Sequence, residues 1–166
     1  YELTTALSIL MQGAKSISII SVSREPVRGE AGLTVLADLT IDEVIYEEYD
    51  SLLLTGCMDV FDVLTSSSYT DFIQNITKQE NFIIASISSS PTLLAKAGVL
   101  KNKNFTVGLV EEARKSSKLF EGANYIDELI VQDGNLITAW GSAFIEFGIR
   151  FGELLHLEFE EGWYRK

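Results

Sequence analysis

The stretch IASISSSP, residues 84–91, carries an apolar run directly into the start of a helix. The apolar residues before it predict a buried strand over Phe82–Ser86. Proline is tolerated in a first helical turn, and the apolar positions that follow predict a helix over Pro91–Ala97. The stretch is therefore predicted to be a sharp strand–turn–helix junction, which holds a side chain exposed beside backbone N–H groups.

Short apolar strands and helices alternate on both sides of this junction. The helical spacing of apolar residues predicts an opening helix over residues 2–12, a helix around residues 69–76 and a closing helix around residues 144–155. Runs of apolar and β-branched residues predict strands at Ile17–Val22, Leu33–Leu36, Leu52–Leu54, Phe105–Leu109, Glu128–Gln132 and Leu136–Ala139. This alternation predicts a mostly parallel sheet covered by helices on both faces.

Length and charge restrict the function classes. The 166 residues predict one domain, and the net charge of −11 disfavours nucleic acid and anionic lipid as partners. No apolar run approaches the length of a membrane span. The single cysteine, Cys57, fits a reducing cytoplasm, and one cysteine with one histidine is too few soft ligands for a zinc or iron–sulfur site. We expect no metal, no cofactor, no membrane and no nucleic acid.

Two polar segments follow neighbouring predicted strands. Residues 55–59 follow one of them and residues 86–91 follow the other. Open α/β sheets bind their ligands beyond the carboxyl ends of the strands. These two segments are therefore the predicted walls of a binding crevice.

Three stretches resemble the ThiJ/PfpI superfamily of class I glutamine-amidotransferase-like proteins. YDSLLLTGC at residues 49–57 is similar to the family's Y-D-x-L-x-L-P-G-G, residues 84–91 resemble its nucleophile elbow I-A-A-I-C-x-G-P, and VQDGNLITA at residues 131–139 resembles its late hairpin. The resemblance covers nearly the whole chain and implies a flavodoxin-like three-layer sandwich, with residues 1–166 as one domain. Because family members commonly form homodimers, we also expect a twofold homodimer.

The chain departs from the family at the site. The position of the elbow cysteine is Ser88, the positions that supply a histidine in family members match Ser89 and Val107, and the second glycine of P-G-G is Cys57. Glu2 falls where many members carry a glutamate that hydrogen-bonds the elbow thiol. Members also have a central strand before the first helix, and we expect the sequence given to lack that strand.

These departures leave alternative functions open. The leading hypothesis is a degenerate, non-hydrolytic member that binds a small ligand or a partner at the crevice, with Gly56, Cys57 and Ser89 as ligand-binding residues. The rival is a serine-dependent hydrolase or lyase-like enzyme in which Ser88 reacts and Glu2 is its proton partner. In the rival, the N–H groups of Cys57 and Ser89 are the oxyanion donors.

Structural roles also account for the same residues. Serines before Pro91 are favoured as helix caps, and a lone cysteine such as Cys57 is more often buried and inert than reactive. A carboxylate at Glu2 is favoured at a helix N-terminus. His156, beyond the closing helix, is expected at the surface.

Overall fold

The computed structural model describes residues 1–165. Its six α-helices are α1 (Thr4–Gln12), α2 (Val60–Val63), α3 (Ser67–Ile76), α4 (Pro91–Lys96), α5 (Glu111–Ser116) and α6 (Phe144–Leu154). Its strands are β1 (Ile20–Ser21), β2 (Val27–Arg28), β3 (Thr34–Val35), β4 (Leu39–Thr40), β5 (Ser51–Leu54), β6 (Ile83–Ile87), β7 (Asn104–Phe105), β8 (Asn124–Tyr125), β9 (Ile130–Asp133) and β10 (Leu136–Ala139). Among the helices just given, none is long and apolar enough to cross a membrane.

The principal sheet contains four strands in the order β5-β6-β10-β9. β6 pairs in parallel with both β5 and β10, and β9 joins β10 as an antiparallel hairpin. Two apolar clusters pack against β6. α3 and α4 contribute to the cluster around Phe105, whereas α1 and α6 contribute to the cluster around Phe147. The predicted α/β architecture, with a largely parallel sheet between helices, is confirmed.

Two predicted strands are much shorter than expected. The Ile17–Val22 prediction of a buried strand is wrong, because only Ile20 and Ser21 pair, with β4, and this pair is separate from the principal sheet. Ile17, Ile19 and Val22 are 45–47% exposed. β5 is accordingly an edge strand of the principal sheet within residues 1–165. An apolar run forms an extended buried strand only where neighbouring strands accept its backbone hydrogen bonds. The Phe105–Leu109 strand is likewise reduced to its first residue and Asn104.

Arg24, after β1, forms hydrogen bonds with residues on both sides of β4. Arg24 donates hydrogen bonds to both carboxylate oxygens of Glu43 at 2.8 Å and to the carbonyl oxygen of Asp38 at 3.1 Å. The Thr40 N–H donates to the same Glu43 carboxylate at 2.8 Å. These donors, Arg24 first, lower the pKa of Glu43 to about 2.

Replacing Arg24 by glutamine should raise the Glu43 pKa towards its ordinary value. Because the folded-state pKa is depressed, the stabilisation from this pair is present above the unfolded pKa and is lost as pH falls through about 2. Carboxyl carbon-13 NMR titration measures the change directly. Lys115→Gln, which removes a different ion pair, is the control and should leave the Glu43 titration unaltered. An unchanged Glu43 pKa in Arg24→Gln would contradict the assignment.

Candidate functional site

The junction between β6 and α4 holds Ser88 in a backbone conformation that serine rarely adopts. Its φ is +65°, in the left-handed region. The Ser88 N–H donates to the Ala139 carbonyl oxygen at 2.7 Å, and the Ser88 carbonyl oxygen accepts from the Gly108 N–H at 2.7 Å. Hydrogen bonds on both sides thus fix the strained residue, as the predicted sharp junction requires.

The interpretation of these serines as helix caps is wrong. α4 begins at Pro91 with Ser90 in the cap position, and no side chain caps the helix there. The Ser90 hydroxyl instead lies within hydrogen-bond distance of the carbonyl oxygens of Leu54 at 3.0 Å and Ile87 at 2.8 Å. Ser88 lies before the cap in the strained turn. A structural capping role therefore does not account for it.

Glycines allow the surrounding backbone to approach Ser88 closely. A Cβ on Gly56 would lie 2.6 Å from the Ser88 Cβ, and one on Gly108 would lie 3.1 Å from the Ser88 Cα. A Cβ on Gly141 would lie 2.8 Å from Glu2 Oε1 and 3.4 Å from Ser88 Oγ. The Glu2 carboxylate and the Ser88 hydroxyl therefore lie next to the same point beside Gly141.

Glu2 is partly buried and forms hydrogen bonds at this site, so its role is not limited to placing a negative charge near the N-terminus of α1. Its Oε2 accepts from the Gly56 N–H at 3.1 Å and from the Thr55 hydroxyl at 3.4 Å. In the part of the chain that the structure describes, no hydrogen bond joins the carboxylate to Ser88 Oγ. The carboxylate thus orients the loop after β5 and lies beside the hydroxyl without bonding to it.

Three successive N–H groups of the loop after β5 donate to side chains from three other segments. Gly56 donates to Glu2 at 3.1 Å, Cys57 to Ser89 Oγ at 3.0 Å and Met58 to Glu30 Oε1 at 2.7 Å. The buried Ser89 hydroxyl also donates to the Cys57 carbonyl oxygen at 2.7 Å. The expectation that the Cys57 N–H is a free oxyanion donor is therefore wrong in this conformation, because Ser89 occupies it.

The Cys57 side chain is exposed, so the expectation that it turns into the core is wrong. Partial desolvation of the sulfur raises the pKa of the thiol, and the nearby carboxylates of Glu30 and Asp59 raise it further, against a hydrogen bond with Ser89 that lowers it. A raised pKa keeps the sulfur in the thiol form, which is a poor nucleophile. Among residues 1–165, the charges that act on this thiol are carboxylates, whereas a reactive cysteine typically has positively charged surroundings.

His156 lies far from these groups. It is exposed, follows the end of α6 and has φ +56°. Its neighbour Leu157 packs against Gly13, at the end of α1 opposite to Glu2. A helix of nine residues is about 13 Å long, so α1 separates His156 from the crevice. The expected surface position agrees with the structure.

Sequence reasoning missed the contributions of Glu30, Gly108 and Gly141. Each lies outside the motifs, and its proximity to the site results from tertiary packing. The RGEAG stretch at residues 28–32 did contain a turn signal, which indicates a hairpin but not its docking position.

The comparisons agree on the family and the fold. The chain is 28% identical over 138 residues to an uncharacterized protein of Methanocaldococcus jannaschii, covering 83% of this chain and 67% of that protein. It is 28% identical over 158 residues to protein DJ-1alpha of Drosophila melanogaster, covering 93% and 71%. It is 29% identical over 140 residues to a protein named deglycase from Thermococcus kodakarensis, covering 83% and 81%.

Solved structures have the same fold. A DJ-1 superfamily protein from Agrobacterium tumefaciens superimposes with a TM-score of 0.82 at 22% identity, covering 97% of this chain and 86% of that one. A ThiJ/PfpI domain protein from Brachyspira murdochii gives 0.81 at 20% identity, covering 93% and 88%. The model of the DJ-1/PfpI family matches residues 1–153. With this match and the shared architecture, the chain belongs to the DJ-1/PfpI family.

Proposed function

We propose that the chain binds a small molecule in the crevice around Glu2 and Ser88 without hydrolysing it. The hydrogen bonds made by the N–H groups of the loop after β5 are the observation that supports this proposal. The N–H groups of Gly56, Cys57 and Met58 all donate to side chains of the protein itself. An acyl-transfer enzyme needs such donors aimed at the developing oxyanion. In the proposed assignment Ser88 stands where active members have the elbow cysteine, and no histidine is nearby to activate it.

The charges of the crevice favour a neutral or cationic ligand. The Glu2 carboxylate accepts hydrogen bonds only, so it suits a ligand with hydroxyl or ammonium donors. Glu30 and Asp59 lie close enough to raise the pKa of Cys57, and the whole chain carries a net charge of −11. An anionic ligand would meet repulsion from each of these groups.

The rival proposal is a serine-dependent enzyme with Ser88 and Glu2 as its reacting pair and the Ser89 N–H as one oxyanion donor. The strained φ of +65° at Ser88 and the neighbouring Glu2 carboxylate favour it. The names of two relatives, both called deglycase, also support an enzymatic function. This rival requires a Ser88–Glu2 hydrogen bond of about 2.6–3.2 Å when substrate binds.

Hydrolysis of p-nitrophenyl acetate by the wild type and by Ser88→Ala separates the two proposals. We expect the two rates to agree within about twofold, because no side chain of residues 1–165 is hydrogen-bonded to the Ser88 hydroxyl as a base that could take its proton. A rate that falls at least tenfold in Ser88→Ala would overturn the non-hydrolytic proposal. Ser68→Ala, on the exposed start of α3, is the matched control.

Binding is tested with three probes of similar size and different charge. Saturation-transfer NMR should detect serinol and glycerol, which are cationic and neutral, but not the anion glycerate. Glu2→Gln should weaken serinol binding about tenfold, since a hydrogen bond to a charged group is lost. Equal binding of all three probes, or no binding of serinol by the wild type, would contradict the proposed ligand class.

The twofold homodimer and the cytoplasmic location remain proposals. Exposed apolar side chains such as Leu33, Leu36 and Met58 support an association surface. Sedimentation velocity at micromolar concentration should give a dimer, and a monomer would contradict the homodimer.

A further inference from the structure

The tip of the β2–β3 hairpin is a defined turn that carries Glu30. The Gly32 N–H donates to the Gly29 carbonyl oxygen at 2.9 Å, and the Gly29 N–H donates to the Leu33 carbonyl oxygen at 2.8 Å. Gly32 has φ +88°, a conformation that glycine adopts without strain. This is a three-residue hairpin loop closed by a glycine bulge, and Glu30 occupies its first central position.

Glu30 joins this hairpin to the crevice loop. Its Oε1 accepts from the Met58 N–H at 2.7 Å, one residue from Cys57. Among the carboxylates that raise the pKa of the Cys57 thiol, Glu30 has the largest effect. Val27 and Leu33 of the hairpin are 51% and 72% exposed. The hairpin therefore packs little of its own apolar surface and is held near the site by a polar contact.

We propose that Glu30 is a specificity-determining residue of the crevice, where its carboxylate holds the hairpin on the loop after β5 and excludes anionic ligands. This inference rests on the proposed ligand-binding function. Glu30 differs from Glu2 in its role: Glu2 accepts hydrogen bonds beside Ser88, whereas Glu30 sets the charge on the Cys57 side. The ligand class selected is neutral or cationic.

The exposed Cys57 thiol is a reporter of the field that Glu30 creates. Methanethiosulfonate reagents of three charges attack the same sulfur, so the ratio of the anionic to the neutral rate removes effects common to all reagents. Glu30→Gln keeps an oxygen that accepts from Met58 and removes the charge. We expect the anionic-to-neutral ratio to rise about fivefold and the cationic-to-neutral ratio to fall, because the variant removes a unit negative charge that acts on the sulfur.

Two further variants complete the experiment. Glu25→Gln removes an exposed carboxylate of the same segment and should leave both ratios unchanged. Gly32→Ala strains the turn while keeping the Glu30 charge, so it should move both ratios in the direction of Glu30→Gln. Unchanged ratios in Glu30→Gln, or an equal change in Glu25→Gln, would overturn the inference.

Glycerate binding distinguishes failure of this inference from failure of the proposed function. If the wild type binds serinol and Glu30→Gln gains glycerate binding, the assignment is supported. If the wild type binds serinol and Glu30→Gln still excludes glycerate, the specificity role is overturned. Absence of serinol binding by the wild type would overturn the proposed function and with it the ligand specificity, whereas the thiol ratios, which need no ligand, would still test whether the Glu30 charge repels anions at Cys57.

Discussion

Replacing Phe147 by alanine is expected to lower the free energy of unfolding by about 3–5 kcal/mol. The side chain is 0% exposed and belongs to the apolar cluster that joins α6 to β6 and β10. Truncation removes its buried apolar surface and leaves a cavity among Ala85, Ile137 and their neighbours. The same cluster contains Ala6, Ala85, Ala139 and Ala143, whose small side chains cannot fill the space left by the ring, so we expect a loss within this range. Urea denaturation, analysed with the same m-value for the wild type and the variant, measures this loss of unfolding free energy.

Phe61→Ala is the matched control for this prediction. Phe61 lies on the short helix α2 and is 43% exposed, so the same chemical change removes much less buried surface. We expect a loss below about 1.5 kcal/mol. Equal losses in the two variants would contradict the placement of Phe147 at the centre of the core.

The sequence predicted well those helices and strands that depend on the spacing of their own apolar residues and on contacts with adjacent segments. The opening helix, Leu52–Leu54 and the hairpin that ends at Ala139 lie close to their predicted positions. The strand predicted at Ile17–Val22 is mostly absent, because a β-branched run favours extended backbone but does not determine which strand will accept its backbone hydrogen bonds. Strand length therefore depended on sheet topology, which the sequence pattern does not contain.

The meeting of the two loops of the candidate site was predictable from the sequence, but the hydrogen bonds between them were not. The junction at residues 84–91 and the loop at residues 55–59 meet as expected beyond the carboxyl ends of β6 and β5. Serine gives no signal of a positive φ, and the hydrogen bonds that fix Ser88 come from Ala139 and Gly108. The Cys57 N–H was assigned as an oxyanion donor from the motif alone, because only the tertiary structure shows that the Ser89 hydroxyl oxygen accepts its hydrogen bond.

Replacing Gly148 by alanine should destabilise the fold and disturb the site through α1. A Cβ at this position would lie 2.7 Å from the Ala6 backbone nitrogen and 3.0 Å from the Thr5 carbonyl carbon, and backbone atoms cannot move aside as side chains do. Alanine's helix propensity favours the variant by up to about 1 kcal/mol, but overpacking of this kind costs about 1–3 kcal/mol. We expect the clash to dominate and α1 to move away from α6.

Because Glu2 lies just before α1, this movement should also weaken its hydrogen bond with the Gly56 N–H, now 3.1 Å long. Urea denaturation should show the lower stability, and faster hydrogen exchange at the Gly56 amide should show the change at the site. Gly162→Ala makes the same substitution where, within residues 1–165 and apart from the adjacent residues, no atom lies within 4 Å of the new Cβ, and it should change neither measurement. Unaltered exchange at Gly56 in a destabilised Gly148→Ala protein would show that the position of α1 does not control Glu2.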